Sequence, residues 1–289
     1  MIARSAAFLL PLLLANPAFA QEAPAPVDPA PNTIDPAKLD GDSITIGAAA
    51  GIGPSYEGSN DTVLSVVPGI RSRVSQINFT LRGNRFFADL IPTPGGPGWD
   101  FQLGPVAQIN FNRSTSAIKD PRVEAIGKIK SAIEVGGIVG IAKQGVLTSD
   151  YDRLGVSFIY AHDAGGVHKS YTMTPAIDYG TPLSRKAYVG ISASANYMGQ
   201  GYATRYFSIA PGASVRSGLP VYNARKGWKD WTLGTVGMLA LTGDLTGGLS
   251  MIGAASYRRL LGSAAETPLT SIAGSRDQWT GMLGLAYTF

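Results

Sequence analysis

The chain has 289 residues, of which 45% are hydrophobic and 15% charged, so it is too apolar to be intrinsically disordered. It contains no cysteine, which excludes a disulfide framework and any zinc, haem or iron–sulfur site that depends on cysteine ligands. The net charge of +4 comes from 24 basic and 20 acidic residues without a basic block, so nucleic acid is not an expected partner.

The N-terminal segment has the features of a secretory signal peptide. Arg4 supplies a positive charge, residues 6–15 form an apolar core, and Ala18-Phe19-Ala20 is a small-x-small cleavage pattern. The apolar core is shorter than the roughly 18 to 20 residues that a membrane-spanning helix needs. The segment 1–20 is therefore predicted to be a signal peptide rather than a membrane anchor.

A proline-rich segment follows, at residues 21–42. It holds five prolines between residues 21 and 40 and no aromatic residue. Such a composition cannot bury a core and favours an extended, partly polyproline conformation. We predict a tail here rather than a folded unit.

From residue 43 to residue 289 the dominant pattern has a period of two. In the window 99–112 every odd position is apolar, whereas most even positions are Asp, Gln, Gly or Asn, and residues 186–197 and 278–289 repeat this alternation. Side chains alternate across a strand, so each of these strands has one apolar and one polar face. Strands of about 12 residues with aromatic residues near their ends are typical of transmembrane β-barrels, which must close because lipid tolerates no open sheet edge.

Twelve strands are predicted, and the connections between them alternate in length. The predicted strands are residues 43–52, 62–70, 74–81, 85–91, 99–112, 131–143, 153–161, 169–179, 186–197, 228–241, 245–260 and 278–289. Apart from the short turn at 82–84, the short and long connections segregate to opposite ends, as periplasmic turns and extracellular loops do. An even strand number then places both termini on the periplasmic side. The segment 198–227 is long enough to contain an additional hairpin.

Histidines and paired carboxylates, which carry most acid–base catalysis, are scarce. The two histidines, His162 and His168, flank one predicted extracellular loop; we interpret it as a polar loop, with a surface metal clip or a His–Asp dyad as alternatives. Asp150 and Asp152 lie in a short turn and are expected to be solvated. No catalytic residue, cofactor site or metal site is predicted.

Two residues inside predicted strands depart from the pattern. Glu134 falls on the face opposite Ile133 and Val135, hence toward the lumen, where a buried carboxylate needs a partner or water. We consider two interpretations of Glu134: it pairs with a lumenal Arg or Lys, or it is a pore-lining charge. Pro105 has no N–H to donate, so we expect a bulge or a locally open ladder there.

Several segments resemble the MipA/OmpV family of outer-membrane proteins, over nearly the whole mature chain. The resemblance rests on the order and spacing of the segments 51–60, 104–105, 134–136, 217–224, 257–268 and 287–289. The residues that carry it are Gly53, Pro54, Tyr56, Gly58, Glu134, Ser217, Gly218, Leu219, Pro220, Tyr222, Pro268 and Phe289. One departure is Thr267-Pro268, where Ser-Pro is expected.

The resemblance implies a β-barrel in the outer membrane of a Gram-negative bacterium, with a terminal Phe of the kind read during insertion. For one branch of the family it implies a scaffold joining a lytic transglycosylase to a murein synthase, and for other members adhesion or stress phenotypes. Three function classes therefore compete: an interaction scaffold, a passive small-solute channel, and a barrel enzyme. The scaffold is the favoured hypothesis.

Overall fold

The computed structural model describes residues 41–93, 97–114 and 118–289, in which twelve antiparallel strands close into a barrel. The predicted signal peptide and most of the proline-rich tail lie outside these residues. The strands are β1 (Ser43–Pro54), β2 (Thr62–Val74), β3 (Ile77–Arg82), β4 (Arg85–Asp89), β5 (Gly98–Asn110), β6 (Ala132–Gln144), β7 (Arg153–Asp163), β8 (Tyr171–Pro182), β9 (Ala187–Met198), β10 (Gly227–Ala240), β11 (Gly248–Leu260) and β12 (Asp277–Thr288).

The prediction of twelve strands is confirmed, with ends that differ by a few residues. Each strand pairs with its neighbours in sequence, and β1 pairs with β12 to close the sheet. The period-two pattern places large apolar side chains on the outer face, where Ile46, Leu103 and Leu283 are exposed. The chain thus has the outward apolar face that a barrel in lipid requires. Within the described residues, no helix is long and apolar enough to cross a membrane.

Both ends of the barrel domain lie at one rim, because Thr45 near the start of β1 pairs with Thr288 at the end of β12. We call this rim, with the connections 75–76, 90–97, 145–152, 183–186 and 241–247, the terminal rim. The opposite rim carries the connections 55–61, 83–84, 111–131, 164–170, 199–226 and 261–276, and we call it the long-loop rim. The three longest connections, 111–131, 199–226 and 261–276, all lie on the long-loop rim, but the other connections of both rims have about two to eight residues, so the predicted segregation holds only for the longest connections.

In the described part of the chain, five short helices occupy the long-loop rim. They are α1 (Pro121–Ile126), α2 (Gln200–Phe207), α3 (Pro211–Ser217), α4 (Gly262–Glu266) and α5 (Pro268–Ser271). Proline is the first residue of α1, α3 and α5, where its missing N–H costs nothing and its φ angle suits a helix. Gly218 ends α3 with a φ of 70°, the left-handed conformation that glycine adopts readily. The segment 198–227 thus contains two helices, and the alternative of an additional hairpin is wrong.

These helices and the loops between them form a packed layer, which we call the cap. Its buried apolar side chains form two clusters, one around α2 and one around α1, α3 and α5. The largest members are Met198, Tyr202, Tyr206, Phe207 and Leu260 in the first cluster, and Tyr56, Val123, Ile209, Leu219 and Leu269 in the second. Because the barrel turns its apolar face outward, the main hydrophobic core of this protein lies in the cap.

The ladder is interrupted on one side of β5, close to Pro105. The pairing of β5 with β6 runs through Pro105 and Gly137 without a shift of register. The pairing of β4 with β5 ends at Phe87 and Val106, and beyond it the carboxylate of Asp89 accepts the Leu103 N–H at 3.1 Å. A side-chain oxygen thus replaces a backbone partner next to the proline, which agrees with the expected open ladder.

Candidate functional site: the polar network beneath the cap

Tyr202 of α2 points into the lumen and joins the cap to the barrel wall. Its hydroxyl donates to Glu57 Oε2 at 2.9 Å and accepts from Asn110 Nδ2 at 3.1 Å, and Lys229 Nζ lies 3.4 Å from the same oxygen. Glu57 belongs to the β1–β2 loop, Asn110 to β5 and Lys229 to β10. One buried side chain therefore connects three separate parts of the chain.

The carboxylate of Glu57 is the acceptor at the centre of this network. Asn112 donates to Glu57 Oε2 at 3.0 Å, Lys229 Nζ forms a short ion pair with Oε1, and Arg258 Nη1 lies 3.6 Å from Oε1. The backbone N–H of Glu57 in turn donates to Asn112 Oδ1 at 3.0 Å. A carboxylate with this many donors is satisfied as an anion, which offsets the cost of burying it.

On the barrel wall the network continues through Asp230, the residue after Lys229 on β10. Asn196 on β9 donates to Asp230 Oδ1 at 2.6 Å, and Lys229 Nζ lies 3.5 Å from Oδ2. A β-bulge between Trp228 and Asp230 shifts the register, and Lys229 lies at this irregularity. The bulge explains how two consecutive residues, Lys229 and Asp230, both belong to one buried network, since a regular strand would turn one of them outward.

Glu134 lies on the lumenal face of β6, as the alternation predicts, and its side chain is fully buried. The prediction of an Arg or Lys partner is wrong, because among the described residues the Glu134 carboxylate contacts neither. Gln108 donates at 2.5 Å, Asn110 at 3.0 Å, and His168 Nε2 lies 3.2 Å away. Complete burial under the cap also removes it from any water-filled pore, so it is not a pore-lining charge.

The interpretation of the His162–His168 loop as purely polar and surface-exposed is also wrong for one of its histidines. The His168 ring is buried, 5.1 Å from the Tyr202 ring and 5.8 Å from the Tyr206 ring. His162 is exposed on β7 and pairs with Tyr171. The two side chains therefore point to different environments, and the described residues contain no cluster of three or more metal-ligating side chains.

Asp163 does not complete a His–Asp dyad. Its carboxylate accepts the backbone N–H groups of Gly165 at 2.9 Å, His168 at 2.6 Å and Lys169 at 2.8 Å. Its function is therefore to fix the loop that carries His168. The residue that contacts the His168 ring is Glu134, from a strand 34 positions away.

The two aspartates of the β6–β7 turn, on the terminal rim, differ from each other. Asp150 is exposed as expected, but Asp152 is fully buried, so the prediction that it is solvated is wrong. Its carboxylate accepts N–H groups from Val146 at 2.6 Å, Leu147 at 2.8 Å and Thr148 at 2.6 Å, together with the Tyr179 hydroxyl at 2.9 Å. Burial acts to raise the pKa of this carboxyl, but these hydrogen bonds outweigh it and hold the pKa well below its usual value.

The residues that carry the family resemblance meet mostly in the cap. The Tyr56 hydroxyl donates to the carbonyl oxygens of Leu269 and Ala273, both at 3.3 Å, and burial raises its pKa to about 12. Gly58 has a φ of 99° and packs so closely on Thr270 that a side chain there would collide with the Thr270 hydroxyl. These contacts join the β1–β2 loop to the β11–β12 loop.

The second group of these residues lies in or beside the same cap cluster, the one that also contains Tyr56. Ser217 Oγ donates to the Ala213 carbonyl at 2.7 Å, Leu219 is buried, and Tyr222 exchanges two backbone hydrogen bonds with Ile209. The remaining members lie at element boundaries. Gly53 and Pro54 end β1, Pro220 follows the α3 cap, Pro268 begins α5, and Phe289 N–H donates to the Ile44 carbonyl at 2.9 Å.

The interior of the cap is an environment that disfavours charge. Burial raises the pKa of Tyr202 and Tyr206 well above the usual range and lowers that of Arg113 to about 10. Arg113 is held by the carbonyl oxygens of Gly127 at 3.0 Å and Tyr206 at 3.3 Å. The arrangement as a whole binds the cap to the wall; His168 and Glu134 are enclosed within it rather than open to a substrate.

Arginines below the network were missed in the sequence analysis, although the same alternation identifies them. The ladders place Arg71 of β2, Arg82 of β3 and Arg85 of β4 on the lumenal face with neighbouring positions on the wall. Arg85 Nε donates to Gln108 Oε1 at 2.6 Å. Arg71 and Arg82 are exposed to the lumen and make no ion pair with a described residue. The part of the lumen between the network and the terminal rim therefore presents positive charge.

Several solved structures of outer-membrane proteins resemble this fold distantly. The CymD monoaromatic hydrocarbon channel is 10% identical over 89% of this chain and 91% of its own, with a TM-score of 0.39. An outer-membrane channel from Pseudomonas putida F1 is 10% identical over 91% of this chain and 100% of its own, with a TM-score of 0.37. The Pseudomonas putida toluene transporter TodX is 8% identical over 88% of this chain and 91% of its own, with a TM-score of 0.34. TM-scores this low add no argument about this chain.

A family comparison is decisive where these are not. No curated protein sequence matches the chain. Residues 46–289 match the family described as "MltA-interacting protein MipA". The matched range includes the cap and all twelve strands, apart from the first three residues of β1. With its closed sheet and its outward apolar face, the chain belongs to the MipA family and is a β-barrel of the Gram-negative outer membrane.

Proposed function

We propose that this barrel is non-catalytic and acts as an interaction protein that positions murein-remodelling enzymes at the outer membrane. A lytic transglycosylase and a murein synthase are the proposed partners. The family description, which names an interaction with MltA, supports this partner class. The observation that carries the proposal is the packed cap, because a barrel closed at one rim by a buried core is poorly suited to passive flow of solutes.

The closure of the lumen rests on both apolar and ionic contacts. α2 is inserted above the lumen with Tyr202, Tyr206 and Phe207 buried, and Glu57 and Lys229 form an ion pair directly beneath it. Opening this end would break the ion pair or expose the aromatic side chains to water, both of which are costly. In its resting state this rim is therefore closed by the cap.

The proposed orientation places the terminal rim in the periplasm and the cap outside the cell. Cleavage after Ala20 then leaves the tail at residues 21–42 on the periplasmic side. Twenty residues in a polyproline conformation reach about 60 Å at roughly 3.1 Å each, enough to extend toward the murein layer. Beside the tail, exposed apolar side chains at turn tips, Leu147 and Leu183, offer contacts on the same rim.

A pulldown tests this function and locates the contact. Mature protein, the same protein without residues 21–40, and a Leu147→Asp/Leu183→Asp variant are used to capture periplasmic and murein-associated proteins. We expect a lytic transglycosylase with the intact protein and a loss of capture in at least one variant. A Val215→Asp variant in the cap, at an exposed position of α3, is the matched control. Failure of intact protein to retain any murein enzyme would contradict the proposal.

A passive small-solute channel is the second candidate, and the lumenal arginines favour it. Arg71 and Arg82 are exposed to the lumen, so part of the lumen admits water. Single-channel recording in a planar bilayer separates the two functions. A closed cap predicts no steady current through the wild-type protein, whereas a persistent open current would favour the channel.

A further inference from the structure

The barrel wall is lower at the β3–β4 hairpin than elsewhere. The pairing of β2 with β3 runs only from Gly69 to Val74, so residues 62–68 of β2 have no strand from the described part of the chain beside them on that edge. At the top of the hairpin the Gly83 N–H donates to the Pro68 carbonyl at 2.9 Å. Seven strand residues correspond to about 20 Å of free edge. We call this opening the notch; residues 62–68 bound it on one side, 83–84 below and 109–111 on the other side.

The free edge is part of the lipid-facing belt. Leu64 and Val66 are 75% and 74% exposed, compared with 56% for Ile52 and 59% for Leu283, which have strands on both sides. The extra exposure is the consequence of the missing neighbour. In hydrocarbon an unpaired sheet edge is unfavourable, so a structure that keeps one there needs a partner for it.

The backbone of this edge offers hydrogen-bond donors to the notch. Alternate residues of an antiparallel strand direct both backbone groups to the same neighbour. The carbonyl of Pro68 accepts from Gly83, and the carbonyl of Thr62 accepts from Lys119 Nζ at 3.4 Å. Leu64 and Val66 are the alternate residues between Thr62 and Pro68, so their N–H groups also point into the notch. The two ends of the edge are occupied, and its middle is free within the described part of the chain.

Positive charge lies on the lumenal side at and just below the floor of the notch. Arg82 and Arg85 pair with each other across the hairpin turn that forms its floor, and both face the lumen. Arg71 is the next lumenal residue of β2 below Gly69, which pairs with Arg82. Lys119 stands at the upper end. The notch thus leads from hydrocarbon to the cationic lumen in three steps: apolar side chains that face lipid, then free backbone N–H groups, and then arginines.

We propose that the notch is a lateral binding site for a single-chain amphipathic anion of the fatty-acid type, taken from the surrounding lipid. Its alkyl chain lies along Leu64 and Val66 in the membrane. Its carboxylate enters the notch, accepts hydrogen bonds from the free strand edge, and pairs with Arg82 and Arg71. The cap closes the lumen above the arginines, so the notch gives this ligand a route that does not pass through the long-loop rim.

Photolabelling tests the site in the intact mature protein, reconstituted in phosphatidylcholine nanodiscs. The probe is a 12-carbon carboxylate with a diazirine at the end of its chain, and its methyl ester is the uncharged control. Labelled peptides are identified by mass spectrometry. We expect the acid to label residues 62–68 and 109–111, and the ester to label the whole lipid-facing belt without preference.

Variants then test the cations. Arg71→Gln/Arg82→Gln should weaken the apparent affinity of the acid about tenfold or more, the loss expected for a charge-assisted hydrogen bond. Arg71→Lys/Arg82→Lys should retain most of the binding, and Arg122→Gln, an exposed cap residue, should leave it unchanged. Heat-modifiable migration on a gel shows that each variant is folded.

Two results would overturn the proposal. Equal labelling of the notch by acid and ester would show that the carboxylate is not recognised. Undiminished labelling in the folded glutamine variant would show that the arginines play no part. Should the glutamine variant not fold, the comparison of acid with ester in the wild-type protein decides alone. Neither result depends on the capture of a murein enzyme, so this proposal and the proposed function can fail separately.

Discussion

Truncation of Tyr202 tests whether the polar network holds the cap in place. Two variants separate the hydroxyl from the ring. Tyr202→Phe removes the hydrogen bonds to Glu57 and Asn110 and leaves the ring, whereas Tyr202→Ala also removes the packing of the ring against Tyr206, whose ring centre is 4.6 Å away. Because Tyr202 belongs to α2 and its partners to the wall, both changes act on the joint between cap and barrel.

The expected magnitudes follow from the contacts. A hydrogen bond to a charged group contributes about 1.5–3 kcal/mol, so we expect Tyr202→Phe to lower the free energy of cap opening by about 2 kcal/mol. Truncation of a fully buried aromatic side chain to alanine costs about 3–5 kcal/mol, so Tyr202→Ala should lower it by about 4 kcal/mol. These values correspond to increases of roughly 30-fold and 1,000-fold in the population of the open cap.

Hydrogen exchange of the α2 and α3 amides measures this free energy directly, since local opening exposes them to solvent. We expect faster exchange in residues 200–217 in the order wild type, Tyr202→Phe, Tyr202→Ala, with the strand amides unchanged. Tyr197→Phe is the control, because Tyr197 lies on the outer face and its ring packs against Trp228. If the α2 amides of Tyr202→Phe exchanged as slowly as those of the wild type, the hydroxyl would play no part in holding the cap. If Tyr202→Ala also exchanged at the wild-type rate, Tyr202 would not join the cap to the wall at all.

Three further predictions concern the barrel. Leu283→Arg places a charge on the lipid-facing side and should destabilise the barrel by about 2–4 kcal/mol near the midplane, whereas Thr280→Arg on the lumenal side should be tolerated. Heat-modifiable migration on a gel measures the folded fraction of each variant. Equal folding of the two variants would show that this assignment of faces is wrong. Deletion of Phe289 should reduce outer-membrane levels without affecting signal cleavage, as cell fractionation would show; normal accumulation would remove its role in insertion. The depressed pKa of Asp152 means that its contribution to stability is present above its ordinary pKa and is lost as the pH falls below about 4. The melting temperature of Asp152→Asn should therefore fall less with acid than that of wild type, and parallel curves would refute this.

The barrel could be predicted because lipid imposes a strict pattern. A strand in a closed sheet must turn alternate side chains to hydrocarbon, so residues such as Ile109 and Leu283 mark their strands without any knowledge of their neighbours. The same parity correctly placed Glu134 in the lumen. It also places Arg71 and Arg82 there, so the cationic lumen was accessible to sequence reasoning and was overlooked.

The cap could not be predicted in the same way. Its helices have four to eight residues, too few to show a helical period, and they are recognised only by their boundaries, such as Pro211 and Gly218. The partners of Glu134 were wrong for a related reason. Parity fixes the side of the wall on which a residue lies, but His168 reaches Glu134 from a loop whose path depends on Asp163 and on packing against Tyr202.

The cap and the notch together determine how the lumen can be reached. Glu57 and Lys229 close the upper lumen, and Arg71 and Arg82 lie below them on the wall, at and just below the floor of the notch. A solute that approaches from the long-loop rim must first break the network around Tyr202, whereas an amphipathic anion in the membrane meets the arginines without disturbing it. Cap variants and notch variants should therefore act independently: Tyr202→Phe should accelerate exchange in α2 and leave labelling at residues 62–68 unchanged. Coupled effects would mean that the notch opens only when the cap does, and the lateral route would then be a property of the open cap.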